Sequence, residues 1–191
     1  DNEAYRQNLI AFLRDIMPAA EVADIHMVIH PDDPPFSLFG LPRVLSTAED
    51  VRKLVAAVPS ASNGLTLCAG SFGARGDNNL VAMAEEFGDR IHFVHLSNIK
   101  RESDGSFYES AHLEGDNDIV GLVAALLAVE AADTSGQRAI AMRPDHGHTL
   151  TSEQADPRLK PGYSYGGRMK GLAELRGVIH ALTALGTGGR P

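Results

Sequence analysis

Leu65-Thr66-Leu67-Cys68-Ala69, then Leu80 to Phe87, then Ile91-His92-Phe93-Val94-His95-Leu96 decide how this chain is read. Two short apolar runs of strand length flank a segment that sets Leu80, Met83, Ala84 and Phe87 at helical spacing, with Gly88 placed to stop it. Strand, helix and strand in that order make a βαβ unit, whose two strands lie parallel in one sheet.

The same alternation extends in both directions. Residues 4–17 set Leu9, Phe12, Leu13 and Ile16 on one helical face, with Pro18 near the end of that helix. Asp24 to His30 reads as the first strand. After a Pro-rich loop, Ser46 and Glu49 have capping-box spacing ahead of a helix carrying Val51, Leu54, Val55 and Val58. Beyond Leu96 come a polar excursion over 97–116, an Ala/Val/Leu helix near 117–131, a fourth strand at Ala139 to Met142, a long polar loop, and a last helix from about Tyr165 to Leu182. Four βα units and one leading helix are half of a closed (β/α)8 barrel, which typically takes about 250 residues. An open sheet of flavodoxin type needs the same alternation at a similar length, and periodicity does not separate the two.

Composition bounds the function. With 191 residues, 43% hydrophobic and 22% charged, the chain has material for one sizeable core, expected over 1–182, with 183–191 a flexible tail. A formal charge of −8 without a clustered Lys/Arg stripe argues against nucleic acid as a partner. There is no long apolar run and no basic-then-apolar leader after Asp1-Asn2-Glu3, which predicts a cytoplasmic protein without a membrane partner. The single cysteine, Cys68, has no intrachain partner for a disulfide.

In parallel α/β folds the functional groups sit past the carboxyl ends of the strands, since the βα loops all emerge there. Those ends carry His30, Cys68, His95 and Asp145. Imidazole, thiolate and carboxylate together suit a borderline divalent ion such as Fe, Co, Zn or Mn. Singly, each has a plainer explanation: a buried cysteine is usually a small hydrophobe, and a strand-end histidine is usually a hydrogen-bonded rim residue. Four in succession at one end of a sheet favour a shared site. Strict alternation puts Ile91, Phe93 and His95 on one face of the third strand and His92 with Val94 on the other, so His92 is expected to face the helices in a structural role. The same rule puts Arg143 with Asp145 and His26 with His30. The segment Ser71-Phe72-Gly73-Ala74-Arg75-Gly76 reads as a plain turn.

At these residues the sequence resembles the mannonate dehydratases. The resemblance is carried by His30-Pro31-Asp32-Asp33-Pro34-Pro35, Cys68-Ala69-Gly70-Ser71 with Gly73-Ala74-Arg75, the strand ending at His95, and Ala111-His112-Leu113. Arg143-Pro144-Asp145-His146-Gly147-His148, Pro161-Gly162-Tyr163-Ser164 and Gly167 through Gly177 continue it in the family's order. It implies the carboxy-terminal half of a (β/α)8 barrel acting as a hydro-lyase, one that converts D-mannonate into 2-keto-3-deoxy-D-gluconate in hexuronate catabolism. It also implies a divalent ion, Mn2+ or Fe2+, on His30, Cys68, His95 and Asp145. It implies a catalytic Tyr163, with His146 and Arg143 beside the substrate. On chemical grounds Asp145 with Tyr163 is the preferred acid–base pair with His146 a rival for either role, Arg143, Arg75 or Lys100 is expected to hold the substrate carboxylate, and His112 is expected toward the substrate. The family's barrel starts well before residue 1 of this chain, so the expected partners besides the sugar acid are a missing amino-terminal half or further copies in a homo-oligomer. Two alternatives stay open: a non-catalytic half barrel that only associates, and a related metal-dependent sugar isomerase, to whose harder metal site Cys68 is poorly suited.

Overall fold

A computed structural model describes residues 1–134 and 138–186. In chain order these form helix α1 (Asn2–Val22), strand β1 (Met27–Ile29), α2 (Ala48–Ala57), β2 (Asn63–Cys68), the short α3 (Ala69–Gly73), α4 (Leu80–Glu86), β3 (Ile91–His95), β4 (Asn98–Arg101), β5 (Phe107–Ser110), α5 (Ile119–Ala131), β6 (Ala141–Arg143) and α6 (Tyr165–Ala184). The sheet β1-β2-β3-β6 is parallel throughout and in sequential order. Residues from α1, α2, α4, α5 and α6 join Leu65, Leu67, Ile91 and Val94 in one core cluster. A flavodoxin-type sheet reverses its strand order and carries helices on both faces. Sequential order with a single helical core is the singly wound topology, which differs from the flavodoxin-type order.

Local corrections are informative. The buried stripe of α1 is Ile10, Leu13, Met17 and Ala20, while Phe12 is 54% exposed. Helix α1 continues past Pro18 to Val22, so the stripe gains a further turn beyond the expected end. The capping box of α2 is Thr47 with Asp50, one residue later than expected. Ser46 is engaged elsewhere, its hydroxyl donating to Asp32, which also accepts the backbone N–H groups of Val44 and Leu45. The first strand is trimmed to Met27–Ile29, because Asp24 turns through a positive φ of 53° before it. The polar excursion holds an antiparallel hairpin, β4 paired with β5. Asn98 pins it, donating to the His112 and Asn117 carbonyls while its own oxygen accepts from Ile99 and Asn117 N–H groups. The expected turn after Cys68 is instead α3, tied to the hairpin through Asn117 and the Ala69 carbonyl. Helix α6 runs two residues past the expected boundary at 182, and residues 187–191 of the expected tail lie outside the described residues. Among the described residues no helix is long and apolar enough to cross a membrane.

The face of His92 differs from the expectation. Leu65 pairs with Ile91 but Thr66 pairs with Phe93, so His92 is an extra residue in β3, a bulge. The bulge lets Ile91 and Val94, an odd number of positions apart, enter the same helix-side core. It also turns His92 to the opposite face, that of Gly64, Thr66 and Cys68: a Cβ on Gly64 would stand 2.5 Å from His92 Cδ2 and 3.2 Å from Val28 Cγ1. There His92 stacks on His26 with ring centroids 3.8 Å apart and planes 6° from parallel.

Burial, with His26 and nearby Arg138 and Arg90 adding to it, lowers the His92 pKa to about 4. An unfolded histidine titrates near 6.5. The stacked pair therefore gives its full stabilisation above about pH 6.5 and loses it as the pH falls toward 4, because the unfolded chain takes up a proton that the folded one refuses. Urea midpoints measured from pH 8 to pH 4.5 should fall more steeply for the wild type than for His92→Phe, which keeps a stacked ring without a titrating group. Parallel curves would show that this histidine does not set the acid limit.

Candidate metal centre

Pairing aligns Cys68 with His95 and His95 with Arg143, so the ends of β2, β3 and β6 stand level. His30 is the first residue past β1. One donor atom each from His30, Cys68 and His95 lies within 4.8 Å of the other two, with Cys68 and His95 buried and His30 exposed. The three form a group able to hold a metal ion.

Hydrogen bonds prepare the donors. The His30 Nδ1 atom is 2.7 Å from the Pro31 carbonyl oxygen. A carbonyl only accepts, so Nδ1 carries the hydrogen and Nε2 keeps a lone pair for a ligand. Ser71 donates its hydroxyl to the Cys68 sulfur at 3.3 Å. His95 Nδ1 is buried and has no hydrogen-bond partner, although Asp145 Oδ2 is 3.3 Å away. A ring nitrogen and a carboxylate oxygen this close without hydrogen-bond alignment, next to a thiol and a second imidazole, suit donors turned toward a shared ion. The donor set therefore fits a borderline divalent ion, with Asp145 beside the three-residue group through its contact with His95.

Asp145 is held from several sides. Its backbone has a positive φ of 65°, uncommon for a residue with a side chain. Arg143 bonds to Asp145 Oδ1 at 2.5 Å, and its guanidinium lies 5.6 Å from the centroid of the Phe93 ring. Burial alone would raise the Asp145 pKa, but His95, Arg143 and His146 outweigh it and hold the carboxyl well below its usual range. Burial likewise opposes charging of His95, and here too Asp145 and Cys68 prevail, raising its pKa.

The next residues bend back onto the hairpin. His146 Nδ1 is 2.7 Å from Glu109 Oε1, and that contact, ahead of opposing burial, raises the His146 pKa. Tyr163, 56% exposed, meets His146 edge-on with ring centroids 5.2 Å apart. It is brought there by the bridge between Gly147 and Tyr163 and by the Gly147 N–H bonding the Gly162 carbonyl. A cavity of about 210 Å3 is lined by Cys68, Ser71, Asp145 and His146 together with Asp33 and Glu109. A second, of about 400 Å3, lies along Arg143, Pro144, Asp145, Tyr163, Tyr165 and Arg168.

The sequence-predicted residues thus divide. His30, Cys68, His95, Asp145, His146, Arg143 and Tyr163 come together around one region. Arg75 is paired with Asp77 and the Pro35 carbonyl, and Lys100 with Asp116, and neither lines these two cavities. His112 is buried, its Nε2 donating to the Pro144 carbonyl at 2.9 Å, so it meets the site through the backbone ahead of Asp145. Sequence reading missed Glu109, Asp33 and Ser71. For Glu109 the available signal was the β-prone run Phe107-Tyr108-Glu109-Ser110 inside the polar excursion, where alternation sets Glu109 on the face of Phe107.

The D-mannonate dehydratase (UxuA) family matches residues 1–187. A mannonate dehydratase of Saccharophagus degradans is 68% identical over 188 residues, covering 96% of this chain and 47% of that protein. Mannonate dehydratase 2 of Agrobacterium fabrum is 54% identical over 184 residues, covering 95% and 46%. The crystal structure of mannonate dehydratase from Streptococcus suis serotype 2 superposes with a TM-score of 0.87 at 34% identity, covering all of this chain and 52% of that one. The chain spans about half the length of the curated relatives it matches, and it belongs to the D-mannonate dehydratase family.

Proposed function

We propose that this chain is the carboxy-terminal, metal-bearing half of a (β/α)8 barrel that dehydrates D-mannonate to 2-keto-3-deoxy-D-gluconate. One observation carries the reading: a buried imidazole nitrogen, His95 Nδ1, with no hydrogen-bond partner, stands beside a thiol, a second imidazole and a carboxylate at the strand ends of a chain in this family. The thiolate in that group favours the dehydratase over a hard-metal sugar isomerase.

His30, Cys68, His95 and Asp145 would hold a divalent ion, Mn2+ or Fe2+. Bound there, the ion supplies Lewis-acid stabilisation of negative charge developing on the substrate's oxygens. The chemistry removes the C2 proton and the C3 hydroxyl, leaving an enol that becomes the 2-keto acid, with one water released. Asp145, kept ionised by Arg143 and His95, is a weak base and a good ligand. Proton exchange with the substrate therefore falls to His146 and Tyr163, whose rings meet at the edge of the site. Arg143 is half-exposed and its planar fork suits a carboxylate, so it is assigned to the acid end of the substrate.

The purified chain should bind one Mn2+ per molecule by elemental analysis after desalting. Cys68→Ala and His95→Ala should each lower the occupancy at equal metal concentration by about tenfold or more. Unchanged metal content in both variants would return these residues to ordinary core roles.

Incubated with D-mannonate and Mn2+, the protein, joined to the remainder of its barrel where that is required, should release the 2-keto-3-deoxy acid as followed by proton NMR. Tyr163→Phe should cut kcat about 100-fold while leaving the bound metal in place. Full activity in that variant would remove Tyr163 from the chemistry.

A further inference from the structure

We infer that Glu109 is the positioning residue of His146, and that the β4–β5 hairpin is thereby a working wall of the site rather than a decoration between β3 and α5. The inference rests on the reading of His146 as a proton-handling group. Its own support is geometric. Segment 109–112 grips segment 144–148 through three imidazoles: His146 Nδ1 to the Glu109 carboxylate at 2.7 Å, His148 Nε2 to the Glu109 carbonyl at 2.8 Å, and His112 Nε2 to the Pro144 carbonyl at 2.9 Å. One carboxylate oxygen and the backbone carbonyl of Glu109 are thus engaged by the two histidines that flank Gly147.

A carboxylate has no hydrogen to give, so the His146 ring donates its Nδ1–H. That fixes the tautomer and leaves Nε2 as the atom free to exchange a proton, turned to the side of Asp145, whose Oδ2 is 4.0 Å from it. An imidazole on a loop without such an anchor swings about χ1 and χ2 and divides between two tautomers. Holding one ring position and one tautomer is what an orienting carboxylate contributes beside a proton-transferring histidine. Glu109 is suited to this because its neighbours on the hairpin are fixed. Asn98 pairs with Ser110 across the hairpin and is itself held by the His112 and Asn117 carbonyls. Glu109 is not one of the group of His30, Cys68 and His95 that could hold the ion, so its loss should leave the metal in place.

The test uses Glu109→Ala, Glu109→Gln, His146→Ala and the double variant His146→Ala/Glu109→Ala. Glu109→Ala should lower kcat about 10- to 100-fold with KM and metal content unchanged. Glu109→Gln, whose amide oxygen still accepts from Nδ1–H, should recover most of that loss. In the His146→Ala background, Glu109→Ala should add nothing, as expected of two residues acting in series. Ring-nitrogen NMR of His146 in the metal-free protein should show the Nδ1–H tautomer in the wild type and Glu109→Gln, and a mixture in Glu109→Ala. Wild-type kcat in Glu109→Ala, a loss matched by metal loss, an additive loss in the double variant, or an unchanged His146 tautomer would each overturn the assignment. Full activity in His146→Ala with a shifted tautomer in Glu109→Ala would instead overturn the reading of His146, and with it the functional half of this inference.

Discussion

The site depends on a register. Cys68, His95 and Arg143 are neighbours across three parallel strands, and that alignment is enforced from the other face of the sheet. Leu65, Leu67 and Val94 are buried in the helix-side core, each contributing on the order of 1.5–3 kcal/mol through the apolar surface it removes from water. A slip of one residue in β2 would carry Leu67 to the inner face and Cys68 into the helical layer. The hydrophobic core therefore sets the donor positions from the opposite face of the sheet. A residue that looks far from the chemistry, such as Leu67, fixes the thiol by occupying the alternate position.

A second constraint acts on the loop after β6. A Cβ on Gly147 would collide with the backbone of Gly167 and Arg168, and one on Gly167 with the His148 carbonyl, so the two glycines allow main chain to pack on main chain at the start of α6. That contact brings Tyr163 to His146. Gly171 does the same for His112, whose ring fills the place a side chain would take. Three glycines thus bring α6 against the loop that carries Asp145, and the loop gains rigidity from backbone contacts that a larger residue would forbid.

How far the sequence was legible follows from the kind of signal each feature leaves. Strand ends are visible because an apolar run stops, and the donors at 30, 68, 95 and 145 were read from that alone. His92 was misplaced because a bulge adds one residue without changing composition, and parity arguments after an unseen bulge invert. The β4–β5 hairpin was missed because its anchor is Asn98, a polar residue buried for its four hydrogen bonds, and periodicity counts polar residues as surface. Glu109 was lost with it. Arg75 and Lys100 were named as substrate contacts because cations suit carboxylates, but Asp77 and Asp116 lie close enough to satisfy them first. Local ion pairs of that sort leave no periodic trace.

The violations of ordinary folding rules gather at one place, and their energetics have a direction. A positive φ at a residue with a side chain costs about 1–2 kcal/mol, and a buried polar atom left unpartnered costs about 1–3 kcal/mol. Asp145 shows the first, and His95 Nδ1 is buried with an ion-pair contact, 3.3 Å to Asp145 Oδ2, in place of an aligned hydrogen bond. A protein selected only for stability would remove both by placing an asparagine or glycine at one position and an apolar residue at the other. Retaining them together makes sense if something bound between the two relieves the unpartnered nitrogen and uses the carboxylate that the strained backbone presents. The exposed His30, with its Nε2 lone pair left free by the Nδ1–H bond to the Pro31 carbonyl, belongs to the same group. The strain and the open donor thus meet at one place, the group of His30, Cys68 and His95 that could hold a metal ion.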